Sequence, residues 1–160
     1  MQQKILVPLD GSKVGEAALP VVKEMMSKLA PDMQKEVILL QVLQPVEATN
    51  LAVPPAEYAH VNVNEINKTE KERQEKEARE YLERVRQSID VSGVSVVPEV
   101  VFGHAADEIV KTAEEAGADL IAMSTHGRSG IGRWVFGSIT DKVLRHEESV
   151  PVMVVRAKKR

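Results

Sequence analysis

The feature that most constrains this chain is an alternation. Short, near-continuous apolar runs rich in branched residues are separated by stretches whose apolar positions recur at helical spacing. A strand buried on both faces reads as a continuous hydrophobic run, whereas a strand with one wet face alternates. The first run, Lys4 to Leu9, is of the continuous kind and is closed by Pro8, Asp10 and Gly11. Ser12 is then placed to N-cap a helix with Ala18, Val22, Met25 and Leu29 inward, and Pro20 predicts a kink within it. A second continuous run spans Val37 to Leu43.

From Gln44 to about Glu65 no period is sustained, and Pro45, Pro54 and Pro55 interrupt the stretch. A connection of this length is either a functional lid or a mobile segment, and the sequence leaves both open. Asn67 to Asp90 reads as a charged helix. Pairs four residues apart, Glu72 with Lys76 and Glu75 with Arg79, support it. Its apolar stripe (Ala78, Tyr81, Leu82, Val85, Ile89) comes late, so the C-terminal half is expected to dock while the N-terminal half projects into solvent.

Val94 to Phe102 predicts a third strand, at a sheet edge because Pro98 would delete a ladder hydrogen bond in a central position. Gly103 ends it. Ala105 to Ala116 predicts a helix with Gly117 as its C-cap, Asp119 to Ser124 a fourth strand, Ser138 to about His146 a last helix, and Val152 to Val155 a fifth strand. Strands alternating with helices imply an α/β domain, a parallel sheet with right-handed crossovers and helices on both faces. Such sheets bind ligands beyond the carboxyl ends of their strands, where the strand order reverses. If strands one and four are neighbours at that reversal, Asp10 and the loop after Met123 meet there.

Composition narrows the function. At 160 residues the chain is sized for one domain, burying roughly 70% of its unfolded surface. It has no cysteine, which removes thiolate catalysis, Cys-ligated zinc and disulfides, and suits a reducing compartment. Lys and Arg number 21 against 24 Asp and Glu, a net charge of −3, so generic nucleic-acid binding is not expected. No apolar run approaches about 18 residues, and no signal-peptide core precedes Pro8. A cytoplasmic protein without membrane partners is therefore expected. His60, His104, His126 and His146 show no paired ligand spacing, so no metal site built from side chains is expected.

The segment from Ser124 to Ser138 carries the most chemistry. Gly127, Gly130, Gly132 and Gly137 fall within it, and glycines let backbone N–H groups line one concavity while the helix opening at Ser138 adds its positive dipole end. That combination suits a polyphosphate. It is not a Walker A loop, and it lacks both G-x-G-x-x-G and G-x-S-x-G. Asp10 either accepts from a ligand or stabilises its own turn. Arg128 and Arg133 either reach phosphate or are loop cations, and Trp134 and Phe136 read as packing residues.

Ile5-Leu6-Val7-Pro8-Leu9-Asp10-Gly11-Ser12, together with Ser124-Thr125-His126-Gly127, nine residues, then Gly137-Ser138, resembles the universal stress protein family. Gly103 and the ending Pro151-Val152-Met153-Val154-Val155 fit the same pattern, and the likeness runs along essentially the whole chain. The nucleotide-binding branch of that family is similar to G-x-x-G, nine residues, G-[ST], from which this chain departs in having Ser124 for the first glycine. The resemblance implies a Rossmann-like single domain over residues 1–160, a five-stranded sheet of order 3-2-1-4-5, with 44–65 as a long loop insertion. It also implies ATP as ligand, with Mg²⁺ or Mn²⁺ held through the phosphates.

By that resemblance Asp10 contacts the ribose and Val42 the adenine, with Pro8 and Leu9 shaping the base pocket. Met123, Ser124, His126 and Gly127 line one side of the nucleotide. Gly137, Ser138, Ile139 and Thr140 present amides and hydroxyls to the phosphates. The family further implies a homodimer through the strand Val152–Val155, whose uncharged edge calls for cover, and a protein partner the sequence does not identify. Three functions stay in play. One is a nucleotide-binding stress-response module, the reading favoured by phosphate donors without an evident base. The second is a slow ATPase or phosphotransferase with His126 or Asp10 as base. The third is a nucleotide-independent dimeric interaction protein.

Overall fold

The computed structural model describes residues 1–45, 62–126, 137–146 and 150–158, and of Val63 and His126 the backbone alone. In order these form β1 (Gln2–Pro8), a 3-10 turn (Gly15–Ala18), α1 (Leu19–Lys28), β2 (Gln34–Leu43), α2 (Val63–Ser88), β3 (Val94–Phe102), α3 (Ala105–Glu115), β4 (Leu120–His126), α4 (Ser138–Arg145) and β5 (Val152–Ala157). The strands make one parallel sheet of order β3-β2-β1-β4-β5. The reversal of order expected at β1 and β4 is therefore present.

The continuous apolar runs are explained by burial on both faces. Ile5, Val7, Val37 and Leu39 pack with Val22 and Met26 of α1 and Leu82 and Val85 of α2. Their neighbours Leu6, Ile38 and Leu40 point the other way, into a second core with Ile109 and Val110 of α3 and Val143 of α4. Ile5, Leu6 and Val7 are fully buried, and each such side chain contributes about 1.5–3 kcal/mol of transfer free energy. Pro98 does lie on an edge strand, opposite Leu39. Gly117 closes α3 at φ +63°, with Ala118 N–H donating to Ala113 O at 2.8 Å in the Schellman pattern.

Three local expectations are corrected. The helix expected from Ser12 opens later, as the 3-10 turn followed by α1 from Leu19, and Pro20 lies in the first turn of α1. First-turn N–H groups have no intrahelical acceptor, so proline marks a helix start here and not a kink. Ser12 nonetheless caps the turn, its Oγ accepting from Gly15 N–H at 3.0 Å. Second, α2 begins at Val63 rather than Asn67, with the Asn62 side chain accepting from Glu65 N–H. Its N-terminal half is held as well as solvated, since Lys71 Nζ stands 4.7 Å from the centroid of the Phe102 ring. Third, Glu75 pairs with Arg79 at 2.7 Å as expected, but Lys76 turns to Glu80, at 4.0 Å, instead of Glu72. No helix among the described residues is long and apolar enough to cross a membrane.

Candidate functional site

The site begins where β1 ends. Leu9 N–H donates to Leu40 O at 2.8 Å, extending the ladder by one residue. The chain then turns away at Gly11, whose φ of +84° is the left-handed conformation that favours glycine. Asp10 Oδ1 accepts from Ser12 N–H at 2.9 Å and from Ser12 Oγ–H at 2.6 Å. This Asx turn fixes the carboxylate at the carboxyl end of β1. Of the two readings of Asp10, the turn former is present, with Oδ1 occupied by it, and the residue also borders a cavity.

That cavity, of about 250 Å³, lies over the β1/β4 reversal. Pro8, Leu9 and Asp10 form one margin, and Leu40 and Val42 of β2 an apolar side. Met123 and Ser124 of β4 form another margin, and Gly137, Ser138, Ile139 and Thr140 the opening turn of α4. Every expected binding residue whose side chain is described is thus brought to one place. Gly127 lies outside the described residues, as does the side chain of His126.

The polar end is built by α4. Gly137 is its N-cap, in extended conformation, and an added Cβ there would meet nothing within 4 Å among the described residues. The first-turn N–H groups of a helix lack intrahelical acceptors and carry the positive end of the dipole. Asp141, the acidic residue of that turn, is drawn off by Arg145, whose Nε donates to its Oδ2 at 2.7 Å. Among the described residues no group of three or more His, Asp or Glu is placed to hold a metal ion.

Several bordering residues were not singled out from the sequence: Val14 and Gly15, Ala105 and Ile109, Leu40 and Thr125. Leu40 was within reach of the period-2 rule, since it shares a face with Val42. Ala105 and Ile109, four apart on α3, follow Gly103 in the position a crossover helix must take. Gly15 had a signal only in retrospect: its missing Cβ would stand 2.6 Å from Asp10 Oδ1.

Outside the cavity, Tyr81 of α2 reaches the same loop. Its hydroxyl lies 3.2 Å from Glu16 Oε1. Burial, and then the negative charge of Glu16, push its pKa well above the usual phenol value.

The comparisons agree with this geometry. The universal stress protein family model matches residues 1–156. Universal stress protein MJ0577 of Methanocaldococcus jannaschii is 32% identical over 162 residues, spanning 99% of this chain and 97% of that protein. The solved structure of MJ0577 superposes with a TM-score of 0.74, covering 99% of this chain and 98% of that one. More distant structures share the fold. One is a universal stress protein in complex with cAMP (TM-score 0.53, 22% identity, 98% of each chain). Another is a family member from Arabidopsis thaliana with AMP bound (TM-score 0.59, 14% identity, 98% of this chain and 92% of that one). With its sheet order, its cavity at the strand reversal and a match over nearly its full length, the chain belongs to the universal stress protein family.

Proposed function

We propose that this chain binds an adenine nucleotide, ATP foremost, in the cavity at the β1/β4 reversal and serves as a nucleotide-responsive module of a stress response. The observation that carries the reading is the gradient within one cavity. Leu40 and Val42 of β2 make one side apolar, Asp10 offers a carboxylate at the end of β1, which lies between β2 and β4, and Gly137–Thr140 offer helix-start amides and hydroxyls. Those three chemistries match base, ribose and phosphate in order. Two family members carrying AMP and cAMP support the ligand class.

The donor set favours binding over turnover. The phosphate end is made of amides and hydroxyls, and Asp10, the one carboxylate among the described residues bordering the cavity, has Oδ1 committed to Ser12. Mg²⁺ or Mn²⁺ would enter on phosphate oxygens. The module would act as a homodimer, joined through the outer edge of β5 along Val152–Val155.

Gly137→Val tests the ligand placement. An extended N-cap that no described residue crowds accepts a side chain, so the fold should persist while the isopropyl group fills the phosphate end. Calorimetric titration should show ATP affinity reduced at least about a hundredfold, the loss of several charge-assisted hydrogen bonds. Unchanged affinity would remove the phosphates from α4.

A further inference from the structure

Ser124 stands where the family pattern places a glycine, and by that pattern it would touch the nucleotide. It does border the cavity, but its hydroxyl is committed elsewhere. Ser124 Oγ accepts from Ala18 N–H at 2.8 Å and donates to Gly15 O at 2.9 Å. Both partners are the ends of the 3-10 turn. Ala18 is fully buried, so its N–H has no water to fall back on.

From Gly15 the connection continues. Gly15 N–H donates to Ser12 Oγ at 3.0 Å, and Ser12 Oγ–H donates to Asp10 Oδ1 at 2.6 Å. A hydrogen-bonded chain Asp10–Ser12–Gly15–Ser124 therefore crosses from the end of β1 to β4. The fit around it is tight, since a Cβ on Gly15 would lie 2.6 Å from Asp10 Oδ1. Every hydrogen bond that Asp10 accepts from the described residues falls on Oδ1, which leaves Oδ2 for a ligand.

We propose that Ser124 is a positioning residue that acts on a bound ribose through Asp10. Its hydroxyl holds the Gly15–Ala18 turn to β4, and the turn holds the carboxylate at the height a ribose hydroxyl requires. The serine is thus a built substitute for the motif glycine: it anchors the ribose end of the site and leaves the phosphate end to α4. The inference rests on the nucleotide reading, and its test separates the two.

ATP and 2′,3′-dideoxyadenosine triphosphate, which lacks both ribose hydroxyls, are titrated in Mg²⁺ buffer into the unaltered protein and into Ser124→Ala. Loss of the anchor should weaken ATP about tenfold, the scale of one hydrogen bond to a charged group, and leave the dideoxy ligand within about twofold. Ser12→Ala, which breaks the same chain at its Asp10 end, should repeat that pattern, and Ser124→Thr, which keeps the hydroxyl, should keep ATP affinity within about twofold and carries the test if Ser124→Ala does not fold. Equal losses for both ligands would show that Ser124 acts on the phosphates or on the fold at large, and no loss for either would show that it does not act on the site. Both results overturn the inference while leaving the nucleotide reading intact. Absence of ATP binding by the unaltered protein would overturn the nucleotide reading itself, and the inference with it.

Discussion

Gly15 shows how narrowly one residue constrains the site. A Cβ there would stand 2.6 Å from Asp10 Oδ1 and 3.4 Å from Ser12 Oγ. Asp10 is exposed, so its carboxylate can swing aside, and Gly15→Ala should cost only about 1 kcal/mol of stability, the low end for overpacking. Under the ribose role proposed for Asp10, the displaced carboxylate should lower ATP affinity about tenfold. A thermal melt beside a calorimetric titration separates the two effects, and full affinity in a stable variant would detach Asp10 from the ligand. At this scale Asp10 was legible, because Asp-Gly-Ser is turn chemistry written in adjacent letters. The partnership of Ser124 with Gly15 was not. The two are 109 residues apart, and no local period or cap signal reports a hydroxyl that satisfies a turn contributed by another element. Removing that hydroxyl leaves a buried N–H unpaired at Ala18, a loss of about 1–3 kcal/mol.

Among the elements, the strands were the most legible, because branched residues buried on both faces leave an uninterrupted signal. Pro98 even located the edge. The start of α2 was not legible from period, since residues 64–77 bury too little to impose one, and the sign of its beginning was the cap Asn62. α2 also makes a contact that period could not suggest, Tyr81 with Glu16 beside the Asp10 loop. Burial and the Glu16 charge raise the Tyr81 pKa above its unfolded value of about 10. The folded protein therefore keeps this proton where the unfolded chain has released it, and stability must fall as pH rises above about 10. Tyr81→Phe should flatten that alkaline decline, measured as urea midpoints between about pH 9 and pH 11, while lowering stability slightly at neutral pH through the lost hydrogen bond. Parallel profiles for both proteins would show that the phenol is not held in this way.

For the whole molecule, the two edges of the sheet are unlike. β3 carries Pro98 and is packed by α2, whereas β5 presents Val152, Met153, Val154 and Val155, all only partly buried. Met153 and Val155 lean on the α1/α2 core and Val152 on the α3/α4 core, so both faces of this edge are apolar, and no second strand of the described residues pairs with it. An uncharged edge of this kind pairs readily with a copy of itself, and a lysine in it opposes that pairing. Val154→Lys should therefore convert the proposed dimer to monomer in light scattering. Val154 pairs in register with Met123, a residue bordering the cavity, so the edge and the site are one strand apart. β5 contributes no described residue to the cavity margin, and the monomer should bind ATP within about threefold of the unaltered protein, as expected for separable sites. A dimer that survives the lysine would place the interface on another face. Monomers that lose ATP would show that dimer formation and nucleotide binding are coupled through the β4–β5 pair, and that the assembled molecule, not the single chain, is the unit that responds.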